Sequence, residues 1–200
     1  MDITNGAAGD ATPLASRAHA LISRVRLLVS GTEVDNIEYA NVVSEMFHRL
    51  QPPEKRKNVE LMGFAGTPLL RGLKKNILYK PTVVALCNQP LWLPPFLGSQ
   101  GAILELHLAN GDEIFQSGTA QSTSYSLSNC RALMDVYHLN GKISNTYAEH
   151  VLAGKPLDFS LKCLTVTGFT LQSAPSSFDI NIARSFSLLN PVFVTWLIYT

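Results

Sequence analysis

The side chains best suited to metal binding or proton transfer are five histidines: His19, His48, His107, His138 and His150. No two of them lie three or four residues apart, so no helix can present a ligand pair of histidines on one face. Glu45 and His48 do have the Glu-x-x-His spacing of carboxylate-bridged metal bundles. Such sites need the motif twice and further glutamates on facing helices. The chain offers neither, so Glu45 and His48 are expected to form a surface pair. Glu105 and His107 alternate along a strand-like run and read as its wet face.

Nucleophilic chemistry is no better marked. Serine, histidine and aspartate are all present, but a triad is defined by geometry and no G-x-S-x-G elbow singles out a serine. The phosphate-cradling loop ending in Lys-Ser/Thr, H-E-x-x-H and the EF-hand loop are also absent from the sequence. Cys87, Cys130 and Cys163 are odd in number and contain no C-x-x-C, which argues against a structural zinc site or a thioredoxin-like motif. Cys130 and Cys163 fall in strand-like segments and are expected to be small apolar core residues in a reducing compartment.

Two further features carry open readings. Arg184 interrupts an apolar strand face between Ile182 and Phe186. Its stem can pack while the head reaches water, or its planar fork can meet a carboxylate at a seam between units. Trp92 and Phe96 stand among Pro90, Pro94 and Pro95. They suit a binding patch, the cover of a sheet edge, or a subunit contact. No catalytic, cofactor-binding or metal-ligating residue is assigned, no cofactor is expected, and the chain reads as a non-enzyme.

The elements that would hold these residues are mostly strands. Residues 24–29 alternate and are closed by a turn at Gly31-Thr32. Residues 35–50 change to helical spacing through Tyr39, Val43, Met46, Phe47 and Leu50. Asp35 and Glu38 are expected to form a capping box there, and Pro52-Pro53 to stop the helix. Residues 54–73 read as irregular. Residues 74–88 read as one or two strands broken at Pro81, with Ile77, Tyr79, Val83 and Val84 as core candidates. Residues 102–109 alternate cleanly, with Leu104, Leu106 and Leu108 on one side.

Residues 125–139 read as a long bent strand. Asn140-Gly141 is a turn signal before a helix over 143–153, which has a second capping box at Thr146 and Glu149 and a stop at Gly154 and Pro156. Phe159, Leu161, Cys163, Thr165, Thr167, Phe169 and Leu171 share one side of a period-two pattern. Phe178, Ile180, Ile182, Phe186 and Leu188 do the same, and residues 191–199 close the chain as a buried strand. About seven strands and two short helices, without strand–helix alternation, predict a mainly β antiparallel sandwich or jelly roll.

Composition agrees. Hydrophobic residues make up 46% of the 200-residue chain and charged residues only 16%, against about 25% charged in ordinary domains. Disorder is excluded for most of the length. A net charge of +1 gives no broad basic field for nucleic acid, so no specific nucleic-acid partner is expected. The basic runs 54–57 and 71–75 read as solvated loops. No apolar run reaches the ~18 residues of a membrane span, and residues 1–20 lack a signal-peptide layout and read as an irregular lead-in.

Four stretches carry a resemblance: VRLLVSGTEVDNIEYANVVSEMFHRLQP (25–52), KPTVVALCNQPLWLPPFLGSQGAILELHLAN (80–110), LSNCRALMDVYHLNGKISNTYAEHVLAGKPL (127–157) and FDINIARSFSLLNPVFVTW (178–196). In series they resemble the double jelly-roll major capsid proteins of Polinton-like and adintovirus-like elements, which are related to large-DNA-virus capsid proteins. Val42-Val43 and Leu188-Leu189 depart from the pattern, where a more polar helix position and a basic residue are expected.

The resemblance implies a partial double jelly roll with two short helices. Residues 1–20 would be an irregular N-terminal segment, 21–110 the later part of a first roll, 111–124 a linker, and 125–200 the first part of a second roll. It also implies that the chain is a fragment, from a truncated reading frame or a decayed endogenous copy, with strands expected before and after it. The implied role is structural: a homotrimeric, pseudo-hexameric capsomer of an icosahedral DNA-virus virion, assembled in the host cytoplasm or nucleus, with a minor penton capsid protein as partner. The alternative is a β-sandwich ligand- or carbohydrate-binding module, for which Trp92 is the starting point.

Overall fold

A computed structural model of the chain describes residues 1–6, 12–13, 17–61, 63–64, 69–81, 85, 101–116, 124–155, 162–169, 177, 179–182 and 192–194. In chain order the strands are β1 (Asp2–Asn5), β2 (Thr12–Pro13), β3 (Ile22–Val29), β4 (Thr32–Glu38), β5 (Lys74–Asn76), β6 (Ala102–Leu108), β7 (Phe115–Gln116) and β8 (Tyr125–Ser128). The helices are α1 (Ala40–Arg49), α2 (Pro53–Leu61), α3 (Gly111–Ile114) and α4 (Gly141–Leu152), and a 3-10 turn spans Ala18–Leu21. The architecture is mixed α/β: two small antiparallel three-stranded sheets, ordered β4-β3-β6 and β5-β1-β8, a two-stranded β2-β7 pair, and the helices. The expected antiparallel pairing is present in each sheet. No jelly roll is formed among the described residues.

The β4-β3-β6 sheet follows the alternation of its central strand, with two resets. Along β3, Val25 and Leu27 turn inward and are fully buried, while Arg24 and Arg26 turn outward. Ser23 is an extra residue against β6, since Ile22 pairs with Leu108 and Arg24 with His107. This bulge lets Ile22 and Val25 face the core despite their odd spacing. The Ser23 hydroxyl lies 3.2 Å from the His107 carbonyl oxygen, to which it donates.

A second bulge acts on β4. Leu27 pairs with Asp35 and Leu28 with Glu33, leaving Val34 as the extra residue. Glu33 thereby stays on the outer face and Asp35 goes inward beside Ile37. On the outer face Arg26 bridges Glu33 at 2.8 Å and its cross-strand neighbour Glu105 at 2.7 Å, and Arg24 donates to Asn36 at 2.9 Å. Opposite charges directly across a ladder reinforce register.

The β3–β4 turn is Ser30-Gly31, one residue earlier than expected. Both residues have positive φ, 51° and 80°, as a tight hairpin of right-handed twist requires. β4 then runs where the sequence predicted the first helical turn. Tyr39, at φ 53°, reverses the chain in one residue, and α1 begins at Ala40. Asp35 and Glu38 are therefore not a capping box. Pairing with β3 outweighs the local helix signal, because a short helical turn has little stability of its own. Ala40, Val43, Ser44 and His48 form the buried stripe of α1, while Leu50 is exposed. Pro53 does not merely end this helix; it opens α2, where a missing N–H is harmless. Residues 54–61, expected to be irregular, are helical.

The lead-in also differs. β1 is the middle strand of its sheet: Ile3 pairs with Lys75 on one side and Leu127 on the other, and is fully buried. The Asp2 carboxylate accepts from Lys74 at 2.8 Å and Asn76 at 2.7 Å. Four residues with one apolar side chain carry no strand signal of their own; two long-range partners supply it. The sheet also joins segments on both sides of the expected 111–124 linker. The start of that linker is built into the fold, with Gly111, Ile114 and Phe115 buried and Phe115 edge-on to Phe64 and Tyr125.

Beyond β8 the expected long strand stops at Ser128, and residues 130–140 have no regular structure. Leu133, Met134, Val136 and Tyr137 are 70–84% exposed. α4 spans the second predicted helix and ends at Gly154, φ 64°, as expected. Its cap is Asn140, whose side chain accepts from the Lys142 N–H at 3.2 Å, in place of the Thr146–Glu149 box. Thr146 instead donates to the Lys142 carbonyl within the helix. Residues 162–169 and 179–182 are not strands; Leu164 and Val166 pack on the core, and Ile180 and Ile182 are exposed. Among the described residues, no helix is long and apolar enough to cross a membrane.

Candidate functional site

Ionisable groups converge where the 3-10 turn packs against α1. The turn follows Arg17 and places His19 inward; α1 brings Glu45 and His48 on its buried side. His19 Nε2 lies 3.1 Å from Glu45 Oε2, and Glu45 Oε1 accepts from Arg49 Nε at 2.8 Å. Arg17, His19 and His48 are all buried. His19 Nδ1 has no hydrogen-bond partner among the described residues.

Burial is the main influence on His19 and lowers its proton affinity. The Glu45 carboxylate opposes this, and Arg17 and His48 add to it. Glu45 is drawn the other way: contact with His19, then with Arg49, holds its carboxyl at about 2 despite partial burial. At neutral pH the seam thus holds a neutral imidazole against an ionised carboxylate. No hydroxyl or thiol hydrogen-bonds to His19 among the described residues, so no activated nucleophile is built on it. No group of three or more His, Cys, Asp and Glu among the described residues is arranged to hold a metal ion.

The surface-pair expectation for Glu45 and His48 is therefore corrected: His48 is inside, and the ionic partners of Glu45 are His19 and Arg49. His19 was missed because it lies in the stretch read as irregular, and no local spacing links it to α1. The thiols are corrected too. Cys130 and Cys163 are exposed, not core residues. The Cys163 sulfur nevertheless turns to the Val34 carbonyl at 3.5 Å, and burial, then the nearby Asp35 charge, pushes this thiol up, away from the reactive thiolate.

The basic runs are not both loops, although Lys55 and Lys57 are exposed as expected. Residues 55–57 lie on α2. Lys74 pairs with Asp2, and Lys75 Nζ donates to the Phe64 carbonyl at 2.6 Å. His107 and Glu105 sit on the expected outer face of β6, and His138 is exposed. Cys87, Trp92, Phe96, Val83, Val84 and Arg184 lie outside the described residues.

A shallow depression of about 450 Å³ is lined by Lys142, Ile143, Thr146, Tyr147 and His150, all from α4. One helix face alone does not converge polar groups from several elements, as a substrate cleft does. No protein-family model, no curated protein and no solved structure matches this chain.

Proposed function

We propose that the chain is a structural subunit: part of a double jelly-roll major capsid protein like those of Polinton-like elements, acting through broad apolar contacts with copies of itself. The observation that carries the reading is exposed apolar surface. Leu133, Met134, Val136 and Tyr137 stand in solvent in one run, and Leu152 on α4 is 86% exposed. Scattered exposed leucines are ordinary; a run of this kind marks a surface that is covered in use. Permanent subunit interfaces bury roughly 2,000–5,000 Å² and are more apolar than transient ones. The low charged fraction supports the same reading, as do the four family-like stretches and the antiparallel pairing of every sheet.

The jelly-roll architecture, the homotrimer, the penton partner and the virion location belong to this proposal. Sedimentation velocity and negative-stain electron microscopy test it. The chain should form discrete trimers or larger arrays, and the double variant Leu133→Glu/Val136→Glu should shift the distribution to smaller species without loss of circular-dichroism signal. A monodisperse wild-type monomer at tens of micromolar would overturn it. So would a charged variant with unchanged assembly.

A further inference from the structure

The paired histidines at the turn–helix seam have no part in a purely apolar assembly surface. We propose that this seam is an acid-sensitive latch: His19, enclosed with Glu45, His48 and Arg17, holds the turn Ala18–Leu21 on α1 while neutral and releases it when protonated. Three observations carry the proposal. His19 is buried, with Nδ1 unpartnered among the described residues. Among the described residues the one carboxylate facing it, Glu45, is already shared with Arg49. Its other charged or titratable neighbours among the described residues, Arg17 and His48, both disfavour a second positive charge. β3, which also packs on the turn, directs Ile22, Val25 and Leu27 inward and its arginines to the opposite face.

Protonation therefore adds a charge to a closed space with too little compensation. Burial lowers His19's affinity for a proton in the closed seam. In the open seam His19 titrates near the ordinary histidine value of about 6.5. A group with a depressed folded pKa binds more protons when open, so acid favours opening. While the closed form stays neutral, the open population at pH 5.5 is up to about tenfold that at pH 7.5. The Glu45 carboxyl, at about 2, stays ionised across this window.

Hydrogen exchange followed by mass spectrometry on the full chain tests the latch, with intrinsic rates divided out. Peptides covering 17–21 and 40–49 should open up to about tenfold more at pH 5.5 than at pH 7.5, with β1 as an unchanged reference. His19→Gln, which keeps a polar side chain but cannot titrate, should abolish the dependence. An equal pH dependence in His19→Gln, or in β1, overturns the proposal. A proton NMR titration of native His19 gives a check that needs no variant: a midpoint below the ordinary histidine value supports the latch, and one at or above it overturns it.

Discussion

Asp35 offers the sharpest test of how the fold is held together. The β4 bulge turns its carboxyl inward, where the residue is only 4% exposed. There it accepts the Ala85 N–H at 2.8 Å, and the backbone N–H groups of Asn36 and Leu164 also donate to it. Burial raises its pKa in spite of these three donors. The carboxyl is thus held as an acceptor, and its charge is a liability. Replacing it with leucine leaves buried N–H groups unpaired at about 1–3 kcal/mol each, so Asp35→Leu should lose about 3–5 kcal/mol after partial relaxation. Asp35→Asn keeps one acceptor oxygen and removes the buried charge, and should lose only about 1 kcal/mol.

Urea unfolding followed by circular dichroism at pH 7 measures both variants. The pH dependence has a defined sign. With a raised folded pKa, wild-type Asp35 contributes its full stability below the unfolded value of 3.8 and loses part as pH rises through the folded one. Wild type should therefore gain on Asp35→Asn as the solution is acidified. If leucine and asparagine are equally tolerated, or asparagine is as damaging as leucine, the reasoning about the acceptor is wrong.

Glu45, held at about 2, should stabilise the fold above its ordinary value of 4.5 and lose that contribution as pH falls toward 2; Glu45→Gln should flatten this acid limb and, with solvent screening of the half-buried pair, lose on the order of 1 kcal/mol at pH 7, read from urea midpoints at several pH values. Ser30 occupies a left-handed turn position at φ 51°, so Ser30→Gly should raise thermal stability by up to about 1 kcal/mol, and Ser30→Pro should lower it. A Cβ at Gly6 would collide with Ser124 Oγ and lie 2.7 Å from the Ser124 carbonyl oxygen, which accepts the Gly6 N–H; Gly6→Ala should lose about 1–3 kcal/mol in the same urea assay.

What the sequence made legible was local. β3 and β6 alternate over enough residues to declare a strand, and α4 has a clear stop at Gly154. What stayed hidden depended on distant partners. Asp2–Asn5 becomes a strand because Lys74–Asn76 and Tyr125–Ser128 flank it. Residues 32–38 contain a plausible helix cap, yet the register with β3 decides their state. The buried seam joins His19 to Glu45, and neither position hints at the other. In residues 130–139 the apolar pattern predicts a strand and the structure has none, because periodicity reports which residues avoid water without saying which surface will cover them.

The placement of the carboxylates links fold to proposed role. Asp2 ties β1 to β5 and, through Asn129 at 3.3 Å, to the segment after β8; Asp35 ties β4 to Ala85; Glu45 ties α1 to the 3-10 turn. Each sits where segments far apart in sequence meet, and a buried or half-buried carboxyl tolerates few alternative partners, so a mispaired strand or slipped turn leaves it unsatisfied. These contacts select one arrangement of short strands that hydrophobic burial alone would leave poorly specified. Asp2 and Asp35 spend their carboxylates inside the fold, in a chain that is already only 16% charged. A monomer needs surface charge to stay apart from its copies; a subunit whose faces are to be covered does not. On the proposed reading, the inward carboxylates and the outward leucines are two sides of one design. The double glutamate variant should then improve solubility, whereas Asp35→Leu should harm both folding and assembly.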